Sequence, residues 1–131
     1  MSLQSDYYIL VAEDNDFVRM QICKFLQDAG HAVLEARDGA EALSLIGAHK
    51  VGLVLVDVRM EPMNGFDLMN AVRSEGVNTP FIMITGDNSP DILERAGDWS
   101  VLAVLIKPVE KERLLKAVER GIVLAQKQGE I

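Results

Sequence analysis

Five short apolar runs, separated by stretches of helical spacing, constrain this chain more than anything else in it. The runs are Tyr8–Ala12 (YILVA), Ala32–Ala36 (AVLEA), Val51–Val56 (VGLVLV), Pro80–Thr85 (PFIMIT) and Leu102–Ile106 (LAVLI). Four of them are nearly continuous in Val, Ile, Leu and Met. That suits parallel strands covered by helices on both faces. The second carries Glu35 and reads as an edge strand.

The stretches between them carry helix signals. Asn15 or Asp16 can cap a helix with Val18, Ile22, Phe25, Leu26 and Ala29 on one face and Gly30 as its stop. Asp38-Gly39-Ala40-Glu41 and Asn64-Gly65-Phe66-Asp67 both have capping-box spacing. Ser89-Pro90 places a cap before a proline at the first helical position. A last helix starts near Glu110 and buries Leu114, Val118, Ile122 and Ala125. The order βαβαβαβαβα predicts an α/β fold: a doubly wound (βα)5 sandwich with one five-stranded parallel sheet.

A chain of 131 residues is one domain's worth. Residues 1–6 read as a leader or expression scar, 7–127 as the folded domain and 128–131 as a C-terminal tail. Thirteen basic against twenty acidic residues give a net charge of −7. Nothing global therefore attracts the chain to nucleic acid or anionic lipid. A single cysteine excludes an intramolecular disulfide and fits a reducing compartment. No apolar run approaches the roughly 20 residues needed to span a bilayer, and the N-terminus lacks a signal-peptide pattern. The expected location is the cytoplasm.

In an open parallel sheet, ligands bind beyond the carboxyl ends of the strands. The first run ends in Glu13-Asp14, the third in Asp57, the fourth in Thr85 and the fifth in Lys107-Pro108. Three converging carboxylates repel one another unless one takes up a proton or a cation binds. Oxygen ligands with room for water suit Mg²⁺ or Mn²⁺. Lys107 brings a compact positive charge for a phosphate oxygen or a carboxylate, and Thr85 a hydroxyl. Metal, lysine and hydroxyl around one aspartate are what phosphoryl transfer to a carboxylate needs. One such residue alone would most simply be solvated or capping. Four sites at one edge of the sheet are a much rarer coincidence.

The segments VAEDN at 11–15 and DVRMEPMNG at 57–65, the lone Thr85 and the Lys107-Pro108 pair together resemble the receiver domain of bacterial response regulators. This is the phospho-acceptor module of two-component signalling. The resemblance covers the chain from Tyr7 to the last helix and implies a flavodoxin-like fold. It implies that Asp57 is the phosphoacceptor and that Asp14 and Asp57 ligate Mg²⁺ through their side chains. Arg59 would do so through its backbone carbonyl, and Glu13 would act through a metal-bound water. Thr85 and Lys107 would contact the phosphoryl group, and the Lys107–Pro108 peptide would be cis. The implied partners are a sensor histidine kinase or phosphotransfer protein, and a downstream output domain or target protein. A homodimer contact would form through the face of the fourth helix, fifth strand and fifth helix. Gly86, Trp99 and Val104, with Ile92 and Arg95, would belong to this switch and output region.

The pattern departs from the family in three places. Met60 is followed by Glu61 before Pro62, Val104 stands where Tyr or Phe is common, and Val109 follows the Lys-Pro pair where Phe is frequent. Arg59 and Asp87 occupy positions that tune phosphoryl lifetime in the family, and an ion pair between them is open. These departures motivate an alternative, a receiver-like interaction domain acting without phosphorylation. A third reading is an enzyme or cofactor protein on the same sandwich. It fits less well, because the first loop, Glu13-Asp14-Asn15-Asp16, would repel a phosphate rather than cradle it. A phosphatase with an aspartyl nucleophile would more naturally carry a second carboxylate where Arg59 stands. Cys23 reads as an inert packed thiol, and His31 and His49 as turn or helix-end residues. Trp99 is divided between partner contact and local packing.

Overall fold

The computed structural model describes residues 7–86, 90–129 and 131. Strands β1 (Tyr8–Ala12), β2 (Val33–Ala36), β3 (Val51–Asp57), β4 (Phe81–Thr85) and β5 (Ala103–Ile106) alternate with five helices. These are α1 (Asp16–Asp28), α2 (Gly39–Ala48), α3 (Gly65–Ser74), α4 (Pro90–Asp98) and α5 (Lys111–Lys127). All strand pairings are parallel, in the order β2-β1-β3-β4-β5. The expected sandwich is present, with boundaries shifted by a residue. β5, whose apolar run predicts a fully covered strand, is a second edge strand and only partly buried.

The alternation of side chains along each strand splits the core in two. Leu10, Ala12, Val54, Val56, Phe81 and Met83 pack with Phe66, Met69, Val72 and Ile92 on one side of the sheet. Ile9, Val11, Leu53, Leu55, Ile82 and Ile84 pack with Ile22, Leu26, Leu114 and Val118 on the other. Seven of seven β3 residues are buried, which is why this central strand needs no polar face. Gly121 lets α5 approach β3 closely: a Cβ there would lie 2.6 Å from Leu53 Cδ1.

Asn15 caps α1 by accepting from Val18 N–H at 3.0 Å. Asn64 and Asp67 form a reciprocal capping box on α3. At α2 only half of the box forms. Asp38 accepts from Glu41 N–H, while the Glu41 carboxylate accepts from Arg37 N–H at 2.8 Å instead. The Ser89 cap lies outside the described residues. The Lys107–Pro108 peptide is cis, as the resemblance implied, and so is Glu61–Pro62.

Candidate functional site

The chain reverses its direction of winding between β1 and β3, and these two strands are neighbours. A crevice opens at such a switch point beyond the strand ends. The register pairs Ala12 with Val56 and Asp57 with Ile84, so Glu13 and Asp14 leave β1 beside the end of β3. Thr85 ends β4, buried, and pairs with Ile106. Its carbonyl accepts from Lys107 N–H at 2.8 Å, which fixes where the lysine side chain begins.

The side chains converge. Carboxylate oxygens of Glu13, Asp14 and Asp57 lie within 4.8 Å of one another, with Glu13 and Asp57 buried and Asp14 exposed. Lys107 Nζ sits 2.9 Å from Glu13 Oε1 and 3.0 Å from Asp57 Oδ2. Asp57 Oδ1 accepts from the Arg59 backbone N–H at 3.1 Å, and Glu13 Oε2 accepts from Asn15 N–H at 3.0 Å. Burial pushes the Glu13 carboxyl up to about 7, with Asp57 adding to the shift; Asn15 N–H and Lys107 oppose it. Burial pulls Lys107 downward, but its pairing with Glu13 and Asp57 outweighs that and its pKa is raised.

These residues fit a hard divalent cation. Every donor is oxygen, one carboxylate faces solvent where waters can complete a coordination shell, and the cluster carries more negative charge than one lysine cancels. Glu13 Oε1 is fully buried, with the Lys107 ammonium at 2.9 Å as its ion-pair partner.

The backbone around Asp57 is tightly framed. Val58 N–H donates to Ile84 O and Gly65 N–H to Val58 O. A Cβ at Gly65 would lie 2.9 Å from the Asp57 carbonyl oxygen and 3.1 Å from Met83 Sδ. Gly65 is therefore required by close approach, a role its place in a capping motif did not reveal. An open cleft of about 710 Å³ adjoins this loop, lined by Arg59, Glu61 and Asn64 on one side and Asp91 and Arg95 of α4 on the other. Arg95 lies over the Phe66 ring at 4.2 Å.

The residues expected on the output face differ in burial, with Arg95 exposed on α4. Trp99 and Val104 are half-buried and pack against the core shared with α3, and Ile92 is buried in that core. The exposed large apolar side chains of α4, β5 and α5 are Leu93, Ile106 and Val123. Gly86 is exposed, with open space where a Cβ would stand. Asp87, and with it the Arg59–Asp87 pair, lies outside the described residues. Cys23 is buried among Ile22, Leu26 and their neighbours, in keeping with an inert thiol.

One buried charge escaped the sequence reading. Arg19 is only 7% exposed and lies on the inner face of α1 with Ile22, Cys23 and Leu26. The i, i+3, i+4, i+7 spacing of those four residues was the available signal. Val18, the apolar neighbour of Arg19, is only partly buried.

A model of the response regulator receiver domain family matches residues 9–119. The transcriptional regulatory protein PdtaR of Mycobacterium tuberculosis is 34% identical over 115 residues, 87% of this chain and 56% of PdtaR. The CAI-1 autoinducer sensor kinase/phosphatase CqsS of Vibrio cholerae is 33% identical over 113 residues, 84% of this chain and 16% of CqsS. This chain thus spans about half of the first relative and a smaller share of the second. Among solved structures, Vibrio cholerae chemotaxis protein CheY4 matches with a TM-score of 0.82 at 32% identity, covering 88% of this chain and 98% of that one.

Proposed function

This chain belongs to the response regulator receiver domain family, and from that premise we propose that Asp57 accepts a phosphoryl group in a Mg²⁺-dependent reaction that switches a protein-interaction surface. The family is one of two-component signalling modules rather than of classical enzymes. The donor in this reading is a histidine kinase or a phosphotransfer protein. The recipient of the signal is an output domain or a target protein. Among the described residues no helix is long and apolar enough to cross a membrane, and a cytoplasmic site of action is part of the proposal.

One observation carries this reading. Asp57, the end of the central strand, has the acid pair within 4.8 Å and an ammonium 3.0 Å away that it shares with Glu13. Asp14 and Asp57 would hold the ion directly with the Arg59 carbonyl, and Glu13 through a water. When bound, the ion neutralises the oxygens of the transferring group. An Asp57 carboxylate oxygen attacks phosphorus, forming an O–P bond as the bond from phosphorus to the donor's nitrogen or oxygen breaks. Lys107, now shared by two carboxylates, turns its ammonium to a phosphoryl oxygen. Thr85 supplies a hydroxyl donor from the adjacent strand end.

The test is incorporation of phosphate from acetyl phosphate, or binding of beryllofluoride, with and without Mg²⁺. Wild type is modified only with the ion present. Asp57→Asn is not modified, because an amide is a poor nucleophile. Failure of wild type with every donor and mimic would reject the reading.

A further inference from the structure

We infer that Arg19 is a positioning residue for the acidic pair, holding the Glu13–Asp14 peptide in the orientation that binds the divalent cation. This rests on the phospho-acceptor reading above and names a part of that machinery outside the pocket itself. The guanidinium is buried at the end of β1, where an unpaired charge would be costly. It is paired with three acceptors from three elements. Nη1 donates to the Glu13 carbonyl at 2.8 Å, Nη2 to Asp16 Oδ1 at 2.5 Å and Nε to Glu35 Oε1 at 3.2 Å. A planar fork engaged by a buried backbone carbonyl and two carboxylates is held in orientation.

The carbonyl of Glu13 belongs to the peptide plane that joins Glu13 to Asp14. Glu13 N–H is held from the other side by Ala36 O at 3.0 Å. Both peptide planes flanking Glu13 are therefore tied, one by the sheet and one by Arg19. The starting direction of the Asp14 side chain, which is itself exposed, follows from the second tie. Asp16 and Glu35 hold the arginine in turn, so the edge strand and the first turn of α1 brace the acid pair. Groups that orient metal ligands in this way typically change metal affinity by about 10-fold or more when removed.

Charge and positioning predict opposite signs. Removing a cation from beside three carboxylates would, by charge alone, tighten Mg²⁺. Loss of positioning weakens it. The experiment measures Mg²⁺ affinity by calorimetry and by amide shifts at residues 13–15, together with phosphorylation by acetyl phosphate across Mg²⁺ concentrations. The variants are Arg19→Met, Arg19→Lys and Glu35→Gln. Both Arg19 variants are expected to bind Mg²⁺ about 10-fold more weakly. Their phosphorylation should be slow at low Mg²⁺ and recover toward the wild-type rate at saturation. Glu35→Gln leaves the tie to Glu13 in place and should keep the affinity within about twofold.

The inference is overturned if a folded Arg19 variant binds Mg²⁺ as tightly as wild type or more tightly. It is also overturned if Glu35→Gln weakens binding as much as Arg19→Met, because Arg19 then only staples the edge strand. If Arg19→Met does not fold, Arg19→Lys decides. Should both fail to fold, the Arg19 guanidinium resonances of wild type decide: they shift on Mg²⁺ addition if the tie is coupled to the site, and stay fixed if it is not. A wild type that takes neither Mg²⁺ nor beryllofluoride refutes the phospho-acceptor reading. A wild type that takes both, with variants that match it, refutes only the role of Arg19.

Discussion

Lys107 Nζ lies 3.0 Å from Asp57 Oδ2, although fifty positions separate the two residues in the chain. The same ammonium reaches Glu13 Oε1 at 2.9 Å, so one lysine serves two buried carboxylates. A partner of opposite charge and a cluster of like charges thus meet at the end of the central strand.

Addition of Mg²⁺ should move the amide resonances of residues 13–15 and 57–59, since the three carboxylates share one small volume. Asp14→Asn should weaken binding by about 10-fold or more, because it removes a charged oxygen ligand. Calorimetry on both proteins checks this. Spectra indifferent to millimolar Mg²⁺ would remove the proposed metal site.

Lys107→Ala leaves Glu13 and Asp57 without their shared cation. Stripping one partner from a buried pair costs up to about 3 kcal/mol. Mg²⁺ should restore part of the loss by replacing the missing positive charge, while the phosphate-dependent change stays impaired. Denaturant melts of wild type and variant, each with and without the ion, give the comparison. A variant as stable as wild type without the ion would show that the lysine pairing contributes nothing, and a variant indifferent to the ion would show that Mg²⁺ does not replace the missing charge.

Gly65→Ala should destabilise by about 1–2 kcal/mol, because the added methyl meets the Asp57 carbonyl at 2.9 Å. Gly47→Ala, in α2 with open space around its Cβ, should instead stabilise by about 0.5–1 kcal/mol. Thermal melts of the two variants should move in opposite directions. A neutral or stabilising Gly65→Ala would mean that α3 can shift without disturbing the acceptor strand.

The Cys23 thiol is pushed up to about 12 by burial, with Glu35 adding to the shift, from an ordinary value of 9.0. A folded-state value above the unfolded one stabilises the native state fully below pH 9, and that contribution is lost as pH rises through the folded value. The native thiol should therefore react very slowly with a disulfide reagent at pH 8, and readily once the protein is unfolded in denaturant. Equal rates in the two states would place Cys23 at the surface.

Beryllofluoride should shift resonances at Thr85, Gly86 and the first turn of α4, the path that leads directly from the phosphoryl position. Val104 has no ring to swing and is packed against the core shared with α3. Its methyl rotamer should not change between the two states. A rotamer swing at Val104, or a silent Thr85–Gly86 segment, would contradict a switch carried by backbone movement.

The element order, the parallel sheet and the four strand ends that carry chemistry are legible in the residues alone. Apolar runs such as Val51–Val56 and caps such as Asn15, Asp38 and Asn64 act over a few residues, and local signals of that kind are written in neighbouring positions. The same local logic placed Glu13, Asp14, Asp57, Thr85 and Lys107 at one edge. Tertiary structure alone decided the rest. Whether β5 is an edge depends on a sixth strand beyond it, which the sheet of the described residues lacks, so its apolar composition could not reveal an edge. Trp99 and Val104 are half-buried against the core shared with α3, and how far each is covered is a matter of packing rather than residue type. Arg19 is buried where acceptors from the loop after β1, from β2 and from α1 converge on it, and that convergence exists only after the strands have paired. The carboxylate–lysine distances belong to the same class: spacing along the chain names the participants, and only the closed sheet sets how near they stand.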